Sequence, residues 1–299
     1  MVVSDRQGAF SQTMTNVLAV IGGSGIYGFP GLSDVHTLDL QTPFGAPSSA
    51  VARGRLGDST VLFLARHGDN HQIPPHQINY RANICALKLA GATHVISLSA
   101  VGSMRENIHP TEVVIVSDYV DLTRTRASTF FDSGAVAHVP MSPSNCPVLA
   151  RAAANAAATA GARVHERGTY VCIEGPQFST RAESLVYRSW GVDVIGMTAM
   201  PEAKLAREAE LPYCTVAFVT DYDCWHESEA AVSVDVVLST LKKNAELAPR
   251  IVQTLLGMLP DRMTSPAFGT LRSSIVTDLS RLDDTALSRI EWLLDTHRK

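Results

Sequence analysis

Tyr213-Cys214-Thr215-Val216-Ala217-Phe218-Val219-Thr220-Asp221-Tyr222-Asp223-Cys224-Trp225 runs from a mostly apolar segment into two acids spaced two residues apart. An apolar run of strand length with no polar alternation is the pattern of a strand buried on both faces, as in a sheet covered by helices on both sides. Similar runs recur at Val17 to Ile21, Val61 to Ala65, His94 to Ala100, Val113 to Val120, Thr169 to Ile173 and Val192 to Met197. Helix-like stretches lie between several of them. Ile78 to Ala90 stops at Gly91, and the alanine-rich Val148 to Ala160 stops at Gly161. Thr180 with Glu183 reads as a capping box for a helix to about Trp190, Pro201 suits a first helical turn, and a longer helix is predicted over Val234 to Met258. The alternation predicts an α/β fold: a single-domain, twisted, mixed, mostly parallel β-sheet flanked by helices.

Residues 17–258 are assigned to this domain, and 1–16, polar and without an apolar core segment, to a disordered tail with no signal peptide. Glycine and proline from Gly257 to Gly269 mark a loop. Beyond it, Ile275, Leu279, Leu282, Leu287, Ile290, Leu293 and Leu294 keep near-helical spacing across 274–296. The segment 259–299 is therefore read as a loop and a C-terminal helix packing at or near a subunit interface.

The chain has 299 residues, 45% of them hydrophobic, with a net charge of −4. It advertises no basic face for nucleic acid, and no apolar stretch approaches the roughly 20 residues of a membrane span. The five cysteines have no Cys-x-x-Cys pair, and three lie in apolar runs. Buried thiols in a reducing, cytoplasmic setting are expected rather than disulfides or a zinc site.

Asp221 and Asp223 leave their strand two residues apart and are candidates to act on one ligand. Two close carboxylates repel, so that one is held protonated and able to act as a general acid. Asp-x-Asp also suits a divalent metal, and a solvated loop uses the same residues. Taken alone, the solvated loop comes first.

Gly23-Ser24-Gly25-Ile26-Tyr27-Gly28 follows a strand and matches G-x-G-x-x-G, so an NAD-dependent oxidoreductase with Asp39 on the ribose is one rival. That reading needs a helix starting in the loop, which Pro30 and Gly31 interrupt. A loop for a single phosphate, with Ser24 adding a hydroxyl, is preferred. Arg66-His67 ends another apolar strand, and the planar fork of arginine matches two phosphate oxygens. His67 and His71 have i, i+4 spacing, but Gly68, Asp69 and Asn70 between them form a poor helix, so no metal is assigned.

Ile21-Gly22-Gly23-Ser24-Gly25, Thr42-Pro43-Phe44-Gly45, Ala65-Arg66-His67-Gly68, Asn79-Tyr80-Arg81-Ala82-Asn83, Glu174-Gly175-Pro176-Gln177-Phe178-Ser179-Thr180-Arg181, Met197-Thr198 and Thr220 to Trp225 occur in that order. Together they resemble the trimeric purine nucleoside phosphorylases, from about Val17 to about Leu256. The resemblance implies a phosphate site made of Ser24, Arg66, His67, Ser99, Ala100 through its backbone, and Thr198. It places Phe178 and Ser179 at the base, Met197 under the ribose, and Val234 and Val237 at the 5′ position. His138 is implied to reach the 5′ region of the adjacent subunit of a homotrimer.

Family members that cleave 6-oxopurine nucleosides carry Phe-Glu-Thr and Thr-Asn where this chain has Phe178-Ser179-Thr180 and Thr220-Asp221. A carboxyl oxygen accepts from a 6-amino group and a protonated Asp221 donates to N7, so the pattern points to adenine. The implied activity is reversible phosphorolysis of 5′-methylthioadenosine to adenine and 5-methylthioribose 1-phosphate, in purine and methionine salvage. Asp221 and Asp223 are the implied catalytic residues. The implied partners are a nucleoside and phosphate, with no metal or organic cofactor. The alternatives are a 6-oxopurine nucleoside or methylthioinosine phosphorylase, and a non-catalytic nucleoside-binding protein.

Overall fold

Ala19 and Ile21 pack into one apolar cluster while their neighbours Leu18 and Val20 pack into another; Leu62 and Leu64 divide from Val61 and Phe63 in the same way. Strand side chains alternate between faces, so both faces of this sheet are buried. Each such Leu or Ile contributes about 1.5–3 kcal/mol relative to exposure. The computed structural model describes residues 16–22, 31–226, 234–260 and 263–294, with the backbone alone for 234–239, 241–243 and 245. In chain order the elements are β1 (Val17–Gly22), β2 (Ser33–Leu38), β3 (Val51–Leu56), β4 (Ser59–Ala65), α1 (Tyr80–Leu89), β5 (His94–Ser103), β6 (Val113–Asp121), α2 (Pro147–Thr159), β7 (Val164–Cys172), α3 (Arg181–Ser189), β8 (Val194–Gly196), α4 (Ala199–Glu208), β9 (Tyr213–Asp221), α5 (Val234–Leu256), α6 (Leu271–Ser274) and α7 (Asp284–Leu294).

The strand order is β2-β3-β4-β1-β5-β8-β7-β6-β9, and β5 also pairs with β9. Five strands, β5-β8-β7-β6-β9, therefore close on themselves. β1, β4, β5 and β9 are mutually parallel, and β8 runs back antiparallel against the tip of β5, with Gly102 opposite Ile195. Helices α1 and α4 cover one face and α2 and α5 the other.

The predicted mixed sheet flanked by helices is present, and so is the Thr180–Glu183 capping box. Strands β2 and β3 were not foreseen. β2 is exposed along nearly its whole length and so has no apolar run to betray it. It pairs antiparallel with β3, and β3 antiparallel with β4. β1 is thus followed by an edge strand rather than by a crossover helix and a parallel neighbour, which removes the dinucleotide-fold reading. Residues 23–30, which hold the glycine motif, lie outside the described residues, as do the first fifteen residues of the tail expected at 1–16; Asn16 is described, and its Nδ2 donates to the Pro260 carbonyl.

The C-terminal spacing is helical only from Asp284. Ile275 pairs as an isolated bridge with Ala137, and Leu279 sits in a 3₁₀ turn. Asp278 and Asp283 explain the break, because their carboxylates accept from the N–H groups of Ser280 and Ala286 and start new turns. Ile290, Leu293 and Leu294 then bury in the same cluster as α1 and Phe130. Trp292 meets Phe130 edge-on at 5.0 Å.

Candidate active site

The C-terminal end of β4 delivers Arg66 and His67. Gly68 turns the chain there with φ +75, and its N–H donates to the Ala65 carbonyl. The Arg66 side chain is fully buried. Its Nε and Nη2 grip Glu202 of α4 at 2.8 and 3.1 Å, Nη2 also donates to Ser97 Oγ at 2.7 Å, and Nη1 donates to the Leu98 carbonyl at 3.0 Å. Glu202 Oε1 further accepts from Ser97 Oγ and Tyr213 OH. The fork expected to face an anion therefore closes on a carboxylate, and Nη1 has one hydrogen left with no partner among the described residues.

His67 is 5% exposed, and its Nδ1 lies 2.9 Å from the Ile73 carbonyl. Burial, followed by the Arg66 charge, pushes its ionisation down to about 3. His71 stacks on it at 4.2 Å, so the two rings lie face to face. Because β8 doubles back along β5, Thr198 arrives beside Ser99, with Oγ1 and Oγ 3.3 Å apart, and Tyr170 OH lies 3.3 Å from Ser99 Oγ. Thr198 opens α4 without using its hydroxyl as a cap. Ala100 follows Ser99 at a half-buried position in β5.

The acids stand where the register of β9 slips. Val101 faces Val219, yet Gly102 faces Asp221, so Thr220 is the extra residue of a β-bulge. Thr220 Oγ1 donates to the Val101 carbonyl at 3.1 Å and lies 2.6 Å from Asp221 Oδ2. The Asp223 N–H donates to Asp221 Oδ1 at 2.8 Å. Ser184, fully buried on α3, donates to Asp223 Oδ2 at 2.5 Å. Burial raises the carboxyl of Asp221, with the Asp223 charge adding to it against the two hydrogen bonds; burial also raises that of Asp223. A Cβ on Gly102 would come within 2.9 Å of Asp221 Oδ1, so glycine is what lets this carboxyl lie against β5.

The loop after β7 supplies Phe178, 46% exposed, and Ser179, whose buried Oγ has no hydrogen-bond partner among the described residues. Met197 packs at the edge of the apolar cluster around Trp225 and comes so close to Gly175 that a Cβ there would lie 2.5 Å from its sulfur. Arg126 ties the two sides together. It donates to the Glu174 carboxylate, to the carbonyls of Ile173, Glu174, Met197 and Met200, and to Tyr80 OH.

The structure thus sets Arg66 and His67 at the end of β4, with Arg66 bonded to Ser97 and Leu98 of β5, places Ser99 of β5 beside Thr198 after β8, and sets Asp221 and Asp223 at the end of β9. His138 is exposed, and its backbone N–H donates to the Ser274 carbonyl. Ser24 and the side chains of Val234 and Val237 lie outside the described residues. Sequence reading missed Glu202, Tyr170, Ser184 and Arg126. Glu202 had a signal: it shares a helical face with Ala199, Leu205 and Ala206, an acid set in an apolar stripe. Hydroxyls and an imidazole beside a buried arginine suit an anion, and carboxyls with raised ionisation suit proton donation.

Among the described residues no helix is long and apolar enough to cross a membrane. The sequence profile of the Phosphorylase superfamily matches residues 17–257. An S-methyl-5′-thioadenosine phosphorylase of Geobacter sulfurreducens is 47% identical over 285 residues, covering 95% of this chain and all of the relative. Another, of Koribacter versatilis, is 49% identical over 87% of this chain and 89% of the relative. A methylthioadenosine phosphorylase sourced from an Antarctic soil metagenomic library superposes with a TM-score of 0.88 at 43% identity, over 94% of this chain and 100% of its own. The Schistosoma mansoni methylthioadenosine phosphorylase in complex with adenine superposes with a TM-score of 0.79 at 36% identity, over 81% of this chain and 91% of its own. The chain belongs to the phosphorylase superfamily, in its S-methyl-5′-thioadenosine phosphorylase family.

Proposed function

We propose that the chain catalyses reversible phosphorolysis of 5′-methylthioadenosine, giving adenine and 5-methylthioribose 1-phosphate. The observation that carries this reading is the pair of raised carboxyls at the bulged end of β9, close to the strand that bears Ser99 beside Thr198. Protonated Asp221 hydrogen-bonds or protonates adenine N7, a general-acid effect of about 10²–10⁴-fold, and Asp223 supports it at the base. The ribosyl group turns cationic as the C1′–N9 bond lengthens. A phosphate held by Ser24, Arg66, His67, Ser99, the Ala100 backbone and Thr198 stabilises that charge and attacks C1′. Arg66 acts here through its spare Nη1–H, with Glu202 fixing the plane of the guanidinium.

Phe178 and Ser179 face the base, Met197 lies under the sugar, and Val234 and Val237 accept the methylthio group. His138, exposed in its own chain, completes the 5′ pocket of a neighbour in a cytoplasmic homotrimer, with the C-terminal segment near the interface. Phosphate is a co-substrate, and the reaction uses no metal or organic cofactor.

The test is base release from methylthioadenosine, adenosine, methylthioinosine and inosine, with and without phosphate. Adenine release from methylthioadenosine that requires phosphate is expected. Release without phosphate, or preference for the 6-oxo substrates, would overturn the reading. Sedimentation at assay concentration should find a trimer; a fully active monomer would sink the role given to His138.

A further inference from the structure

The imidazole of His67 is fixed in one tautomer by its loop. The Ile73 N–H donates to the His67 carbonyl at 3.0 Å, and His67 Nδ1 returns to the Ile73 carbonyl at 2.9 Å. A carbonyl oxygen can only accept, so the hydrogen of this bond sits on Nδ1. The stacked His71 ring pins the plane. Burial and the neighbouring charges of Arg66 and Arg126 keep the ring from taking a second proton near neutral pH. Nε2 therefore carries a lone pair, and it makes no hydrogen bond among the described residues. In the phosphorolytic reading His67 shares an anion site with hydroxyl and guanidinium donors, and there Nε2 is an acceptor.

An acceptor repels a bare anionic oxygen and attracts one that carries hydrogen. Monohydrogen phosphate has one P–OH, and sulfate at neutral pH has none. We propose that His67 Nε2 accepts the P–OH hydrogen of monohydrogen phosphate, so that the anion subsite selects phosphate over sulfate of nearly equal size and charge. Arsenate, which also carries a hydroxyl, falls on the phosphate side of this selection. The proposal rests on the phosphorolytic reading and assigns His67 the role of a specificity-determining contact.

The experiment compares sulfate as a competitive inhibitor against phosphate as substrate at mildly alkaline pH, where phosphate is largely the dianion. In the native enzyme the sulfate inhibition constant should exceed the phosphate KM by about 10- to 100-fold, the scale of one charge-assisted hydrogen bond. His67→Asn keeps an N–H for the Ile73 carbonyl and deletes the acceptor. Its phosphate KM should rise by about tenfold or more while sulfate binds no more weakly, collapsing the ratio. His67→Gln can turn an NH₂ toward the anion and should bind sulfate more tightly than the native enzyme does.

Nitrogen-15 NMR of the native enzyme reads the tautomer directly. The Nε2 resonance should be that of an unprotonated nitrogen and should move on adding phosphate but not sulfate. A protonated Nε2, or sulfate and phosphate of equal affinity in the native enzyme, would overturn the proposal. So would an unchanged ratio in both variants. Base release that ignores phosphate altogether would instead sink the phosphorolytic reading.

Discussion

Three neighbours hold Asp221 in place: Thr220 Oγ1 lies 2.6 Å from its Oδ2, the Asp223 N–H donates to its Oδ1, and Gly102 leaves it room. Asp221→Asn keeps the size of the side chain but removes the exchangeable proton and one oxygen acceptor, and sets a donor against the 6-amino group of adenine. The kcat/KM for methylthioadenosine should drop by roughly 10²-fold or more, the scale of a lost general acid. Activity on methylthioinosine should fall less, since a 6-oxo group accepts from the new amide. Steady-state kinetics on both nucleosides check this, and native-like activity on methylthioadenosine would pass the role to Asp223. Arg66 and Glu202 form a second residue-scale unit, buried on both sides. Removing one partner strands a charge, so Glu202→Ala should cost on the order of 3–5 kcal/mol in urea unfolding. A loss below 1 kcal/mol would mean that water reaches the guanidinium.

At the scale of the element, the bulge in β9 and the return of β8 along β5 decide what the strands present. The extra residue at Thr220 re-aims Asp221 relative to the alternation that sends Val216 and Phe218 to one face and Ala217 and Val219 to the other. Gly102→Ala would place a methyl group 2.9 Å from Asp221 Oδ1 and 3.1 Å from Ile195 Cγ2. The carboxyl has to shift, so kcat/KM should fall by about tenfold or more, while burial of one methyl in a tight site costs about 1–3 kcal/mol of stability. Unchanged kinetics would show that Asp221 tolerates displacement. In α7, Ile290→Ala should cost about 2–5 kcal/mol, because that side chain is 2% exposed within the main core. A cost near zero would place the helix outside the cooperative unit.

The whole molecule carries a pH dependence through Glu208 on α4, which accepts from the Phe130 N–H and Thr129 Oγ1 at 2.7 Å each. Burial raises its ionisation from 4.5 to about 7. A carboxyl raised in the folded state contributes stability that is complete below its unfolded value and lost as pH rises through the folded one. Between about 4.5 and 7 the native protein should therefore lose on the order of 3 kcal/mol that Glu208→Gln retains. Urea midpoints of the two proteins across that range check the sign; parallel curves would refute the assignment.

The strands at β1, β4, β5 and β9, and the first half of β6, were legible because burial on both faces leaves an apolar run, and the Thr180 capping box because it is local chemistry. The order of motifs identified the family before any contact was known. The edge strands β2 and β3 were illegible because exposed strands need no apolar side chains. The break before α7 turned on two aspartates taking backbone N–H groups, which spacing does not record. Sequence by itself placed Arg66, His67, Ser99, Thr198 and Asp221 at strand ends. Only the tertiary structure decided that the Arg66 fork closes on Glu202, that His67 Nδ1 meets the Ile73 carbonyl, that Ser184 supports Asp223, and that a bulge turns Asp221. Each of these depends on groups far apart in the chain, and pairing across a sheet or a core is set by packing of the whole molecule rather than by local preference.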